Sequence, residues 1–213
     1  MINFTVYSAD CVGNSGNCLY PNKMIVADKE SFIKATKMDH VTAKYKGNYR
    51  SKDNFESSDC IPLDCDNDHS DNPNEWVTPL DIALEIPGVA FAVSYSRHHN
   101  PPKGDKSSRP RFHIFFPIEI VSDEQEYADM KRKIADAFPY YDTNALDSAR
   151  FLYGNDSDEV EFYEGDKTIL DYLEEDDFAD FDVSLEQVPE GQRNSTVSHL
   201  PKESGIQPGT CSL

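Results

Sequence analysis

The sequence predicts an α+β fold, and three observations point to it. Most of the phenylalanines and tyrosines, within an aromatic content of 11%, are interleaved with polar residues, as suits a half-buried sheet. Segments with helical spacing alternate with these strand-like runs in the order strand, helix, hairpin, helix, strand, which implies helices lying mostly on one face of a sheet. A length of 213 residues holds one substantial core plus a tail.

In chain order, "INFTVYSA" alternates as a strand, and "CVGNSGNCLYPN" after it is loop chemistry. "DKESFIKATKMDHVTAKY" predicts a helix near residues 28–38, followed by a polar loop carrying Lys44, Lys46, Arg50 and Lys52. "CIPLDCD" reads as a short buried strand and "NDHSDNPNEW" as turn. "VTPLDIALEIPG" reads as a helix with Thr78 as N-cap, Pro79 at its first position and Gly88 near its end. "VAFAVSYS" and "RFHIFFPIEI" form a wide hairpin around the basic loop "RHHNPPKGDKSSRP". "SDEQEYADMKRKIADAF" keeps an amphipathic helical period, and "YYDTNALDSARFLYG" is turn plus strand.

The net charge of −19 argues at first against a nucleic-acid partner. Its distribution weakens that objection. Residues 156–182 hold 13 acidic side chains and one lysine, and residues 1–155 are only −6. The acidic segment reads as a solvated helix or linker. Five cysteines at spacings that fit no zinc pattern read as reduced thiols. With no secretion signal and no bilayer-length apolar run, a cytoplasmic protein without a membrane partner is expected.

The chemistry concentrates at three places. Strand alternation projects Asp64 and Asp66 together, and two carboxylates so close favour a cation between them; hard oxygen ligands suit Mg²⁺ or Mn²⁺. A calcium loop fits poorly, because "DCDNDHSDNPNE" lacks the loop glycine and follows an apolar run that reads as strand. The basic loop gathers Arg97, Lys103, Lys106, Arg109 and Arg111 against Asp105 alone, an anion site suited to triphosphate or a nucleic-acid backbone. It leads into a strand on which Arg111, His113 and Phe115 share a face. A third carboxylate from elsewhere would complete a two-metal site, with Asp142 the first choice and Asp147 the reserve.

This order of parts, "IPLDCD", then "RPRFHIFFP", then a helix and "YYDTNALDSARFLYG", resembles the archaeo-eukaryotic primase superfamily, most closely the primase-polymerase domains of phages, plasmids and other mobile elements. The resemblance spans roughly residues 1–165. It implies a primase-polymerase fold with an RRM-like antiparallel sheet and an N-terminal α/β unit. It also implies a DNA primase or polymerase activity in which Asp64, Asp66 and Asp142 hold two Mg²⁺ or Mn²⁺ ions. His113, where Arg111 stands in place of the family's usual small residue, would contact the phosphates of an incoming nucleoside triphosphate. Arg111, Arg109, Arg150 and Arg50 join the nucleotide-binding set; Lys44, Lys46, Arg50, Tyr45 and Tyr49 would grip single-stranded or primed DNA template.

"VPEGQRNSTVSHL" resembles the opening of the small helical domain that follows such primase domains and leads to a helicase. The expected division is therefore a catalytic domain over 1–183 and, over 184–213, the start of a truncated helical domain or a flexible tail. Two rivals remain: a rolling-circle initiation nuclease, which wants a His-apolar-His pair that "FHIF" lacks, and an acidic DNA mimic, which leaves the aspartate pair without a purpose.

Overall fold

The computed structural model describes residues 2–175. They form one unit with two antiparallel sheets. The smaller sheet has the order β2-β1-β3, from β1 (Phe4–Ser8), β2 (Asn22–Val26) and β3 (His40–Val41). The larger is β4-β5-β7-β6-β8, from β4 (Ala43–Tyr45), β5 (Phe55–Cys65), β6 (Phe91–Tyr95), β7 (Phe112–Val121) and β8 (Val160–Tyr163). The α+β class is therefore as expected, and β6 and β7 pair antiparallel across the basic loop.

Three helices begin where capping chemistry places them. In α1 (Lys29–Thr36), Asp28 accepts from the Ser31 N–H at 2.8 Å. In α2 (Pro79–Glu85), Thr78 and Asp81 cap each other reciprocally behind Pro79. In α3 (Glu124–Ala137), Asp123 accepts from the Glu126 N–H at 2.8 Å.

Strand alternation divides the core in two. Ile61, Leu63 and Cys65 of β5, with Phe112, Ile114 and Phe116 of β7, join Ile82 of α2 and Tyr127 and Ile134 of α3 on one side of the large sheet. On the other side Cys60, Ala92 and Phe115 meet Phe4 and Phe32 from β1 and α1. Phe4, Phe32 and Phe115 are fully buried and pack ring against ring at 5.1–5.7 Å, each burial stabilising by about 1.5–3 kcal/mol. This second layer covers only part of its face. Continuing along that face, β5 and β7 place Asp64 opposite His113, and β6 places Ser94 beside it. The polar end of an otherwise apolar face is where the site forms.

Three sequence readings change. β2 falls in a stretch given no element. The polar loop expected after α1 contains β4 and the first half of β5. The acidic segment is no solvated linker over its described part: β8 is an edge strand, residues 169–175 are helical, and Ile169 and Leu173 are buried. Apolar residues interleaved with the acids anchor it. The expected boundary at 183 and the C-terminal tail lie outside the described residues. No described helix is long and apolar enough to cross a membrane.

Candidate active site

A pocket of about 130 Å³ is lined by Asp64, Asp66, Ser96, Arg97, His98, Lys103, His113, Arg150 and Tyr153. Asp64 is its centre. One carboxylate oxygen, Oδ2, accepts from Arg150 Nη2 at 2.6 Å; the other, Oδ1, is buried 3.1 Å from His113 Nε2 but meets no aligned hydrogen-bond donor. Asp66, one residue beyond β5, pairs with Lys103 from the basic loop, and buried Arg111 lies behind it with Nε at 4.0 Å.

Burial opposes ionisation of Asp64, but the positive charge of His113 when it is protonated, and that of Arg150, outweigh it and hold the carboxyl below its ordinary pKa. Burial, reinforced by Arg150 and Lys103 against the pull of Asp64 and Asp66, also lowers the His113 pKa. The imidazole is thus neutral at pH 7, and Arg150 is the partner that keeps Asp64 anionic. Burial opposes the Arg150 charge too, yet Asp64, Asp142 and Asp147 raise its pKa. Arg97, stacked 4.1 Å over the Tyr153 ring, adds a further cation. Three cations around two carboxylates, Arg97, Lys103 and Arg150, make this a locally positive pocket in an acidic chain.

Asp142 lies alongside: its N–H donates to the Asp64 carbonyl at 2.9 Å. Its carboxylate caps its own turn, accepting from the Asn144 N–H at 2.9 Å, and lines a neighbouring pocket of about 390 Å³ that shares Asp66 and Lys103 with the first. Asp147 Oδ1 accepts from the Ala149 N–H at 2.8 Å. Among the described residues, no three His, Cys, Asp or Glu side chains converge as a preformed metal cage. The donors nevertheless suit a hard divalent cation: Asp64 Oδ1 is a buried acceptor in need of a partner, and Asp66 is held only by partly exposed Lys103 and, at the limit of ion-pair distance, by Arg111.

The structure thus brings together Asp64, Asp66, His113 and Arg150, with the Asp142 backbone adjoining, and it leaves out three arginines expected to bind nucleotide. Arg109, 2% exposed, donates to the Asn67 and Ser70 carbonyls and to Asp71, and stacks on Trp76. Arg111 is fully buried and donates to the carbonyls of His98, Pro101 and Ser107. Both shape the basic loop and its neighbour from inside. Arg50 donates to the Ala149 and Asn17 carbonyls and packs on Phe151. Tyr45, expected at the template, is 3% exposed, whereas Tyr49 is 50% exposed. Lys44 pairs with Glu56.

Four participants escaped the sequence reading as individuals. Arg97 and Lys103 were visible only as members of a basic loop, and nothing marked Tyr153. Asp39, fully buried, accepts from the N–H groups of Gly13, Asn14 and Gly154 at 2.9 Å each, fixing the loop between β1 and β2 and the segment after Arg150. Gly154 has to be glycine, since a Cβ there would lie 2.4 Å from the Lys37 carbonyl oxygen.

His40 is 1% exposed beneath the pocket; its Nδ1–H donates to the Met38 carbonyl at 2.8 Å, and Nε2 is unpartnered. Burial pushes its pKa from 6.5 down to about 4. Between those values the unfolded chain takes up a proton that the native one refuses, so stability falls as pH drops from 6.5 toward 4. The loss from His40 is about 3 kcal/mol. Urea midpoints at pH 7 and 4.5 should show this slope, and His40→Phe, which keeps the stack on Phe115, should remove most of it.

No family model matches the chain, and no curated protein matches it. Among solved structures, it is similar to the AEP domain of the primase-polymerase (PrimPol) of cyanophage S-2L, with a TM-score of 0.41 and 10% identity over 77% of this chain and 81% of that one.

Proposed function

We propose that the chain is a primase-polymerase domain carrying out metal-dependent, template-directed nucleotidyl transfer in the replication of a phage or other mobile element. The observation that carries this reading is the buried Asp64 oxygen, without an aligned donor 3.1 Å from His113 Nε2, in a pocket ringed by Arg97, Lys103 and Arg150. Carboxylates for a cation and guanidinium and ammonium groups for an anion meet in one place, as a metal-bound nucleoside triphosphate requires. Bound at Asp64 and Asp66, with Asp142 as the candidate third ligand, Mg²⁺ or Mn²⁺ would supply Lewis acidity that activates a 3′-hydroxyl and neutralises charge on the triphosphate.

The chain's own residues do the rest. Arg150 holds Asp64 ionised and oriented. His113, its side chain 14% exposed, presents a hydrogen-bonding imidazole to phosphate without adding charge. Lys103 exchanges Asp66 for a phosphate oxygen, and Arg97 keeps its charge at the mouth of the pocket while its face rests on Tyr153. Template DNA would pass the exposed Tyr49 and Lys46, and a helicase domain or protein is the partner suggested by the C-terminal resemblance.

The test is incubation of the chain with primed and unprimed single-stranded template, labelled nucleotides and Mn²⁺ or Mg²⁺, beside an Asp64→Ala, Asp66→Ala double variant. Extension by the wild type and none by the variant is expected. Strand cleavage would instead indicate a nuclease, and inertness would remove the enzyme reading.

A further inference from the structure

The segment that presents Arg150 to Asp64 has no strand partner over residues 147–149, yet its three consecutive carbonyls are all occupied. Lys131 Nζ, from α3, donates to the Asp147 carbonyl at 3.0 Å. The Tyr45 hydroxyl, from β4, donates to the Ser148 carbonyl at 2.5 Å. Arg50 Nη1, from the loop after β4, donates to the Ala149 carbonyl at 2.7 Å. Lys131 and Tyr45 are 1% and 3% exposed, and the Ser148 hydroxyl is itself tied to Glu124 at the start of α3. Just beyond Arg150, Leu152 exchanges both backbone hydrogen bonds with His40, at 2.8 and 2.9 Å. The guanidinium therefore leaves a backbone fixed on both sides.

Side chains usually satisfy isolated carbonyls at turns and caps; three in succession, one from α3 and two from β4 and the loop after it, over-determine one short backbone stretch. The Tyr45 ring packs in the core against Phe55, and the Lys131 ammonium lies 5.8 Å from the Tyr127 ring centre, yet the hydroxyl and the ammonium both end on these carbonyls. That placement serves aim, because an arginine that must meet a buried carboxylate in one geometry gains from a backbone that cannot drift.

We propose that Lys131, Tyr45 and Arg50 act as a positioning clamp on residues 147–149, whose task is to deliver the Arg150 guanidinium to Asp64. Its catalytic consequence rests on the nucleotidyl-transfer reading; the clamp itself does not. Two arms keep them apart. In the ¹⁵N-labelled full chain, the Arg150 Nε–H signal, identified by its loss in Arg150→Lys, should be sharp and distinct in the wild type. It should broaden or move to the position of solvent-exposed arginines in Tyr45→Phe and in Lys131→Met, while α2 amide signals stay in place. An unchanged Arg150 signal in Tyr45→Phe overturns the proposal, and this variant, which loses one hydroxyl, decides alone if Lys131→Met does not fold.

In primer extension, Tyr45→Phe should cost roughly tenfold in kcat, since even a displacement of about 1 Å is able to cost about 100-fold. The same change in an Arg150→Ala background should cost less than about twofold, because residues acting through one group are not additive. Equal losses in both backgrounds overturn the proposal. A wild type that extends no primer defeats the functional reading, and the NMR signal then decides the clamp.

Discussion

Asp64→Asn is expected to lower nucleotide incorporation by roughly 1,000-fold while leaving the chain folded, the scale of loss seen when a group aimed at transition-state charge is removed. The substitution changes charge and almost nothing else. An amide oxygen still accepts from Arg150, and an amide N–H faces His113 in place of Oδ1. What disappears is the anion that would hold a divalent cation. Arg150, whose side chain is 38% exposed, re-enters water when its ion pair is lost, so the cost in stability stays near 1–2 kcal/mol. Incorporation rates and urea midpoints measured on the same preparation separate the two effects. Incorporation within about threefold of wild type would remove Asp64 from the chemistry.

Arg109→Ala is expected to do the opposite, destabilising the fold by about 3–5 kcal/mol, a large share of a typical domain's 5–15 kcal/mol. The Arg109 side chain is 1% exposed and satisfies the Asn67 carbonyl at 2.9 Å, the Ser70 carbonyl at 3.2 Å and Asp71 at 2.9 Å. Its loss strands two carbonyls, opens a cavity and releases the loop immediately after Asp66. Trp76, the single tryptophan, lies 4.9 Å from that guanidinium, so its fluorescence reports the loop directly. Urea unfolding followed at Trp76 checks the size of the effect. A shift below about 1 kcal/mol, with nucleotide affinity reduced instead, would return Arg109 to the binding set.

These two residues mark how far the sequence could be read. Asp64, Asp66 and His113 were legible because period-2 alternation fixes their face, and the pairing of Asp64 with His113 follows once the two strands are neighbours. Arg109 and Arg111 carry the same charge as Lys103 in the same loop, and composition cannot say which arginine folds inward. That choice depends on where carbonyls at 67, 70, 98 and 101 come to need donors, a property of the tertiary fold. Lys131 left a faint trace: with Tyr127, Ile134 and Ala135 it falls on the buried face of α3, where lysine has no ordinary place. The expected third carboxylate came only partly into view, since Asp142 adjoins Asp64 through its backbone while its side chain caps a turn. Strands β2, β4 and β8 were missed because edge strands carry polar residues on their open side.

Metal-dependent nucleotide binding at Asp64 and Asp66 is tested by equilibrium binding of a nucleoside triphosphate to the full chain, with and without Mn²⁺, in the wild type and in Asp64→Ala, Asp66→Ala. Binding should weaken roughly 100-fold or more, about 2.7 kcal/mol, when Mn²⁺ is withheld or both carboxylates are removed. Binding indifferent to both, or no binding at all, would show that this pair of aspartates does not hold a metal-bound triphosphate.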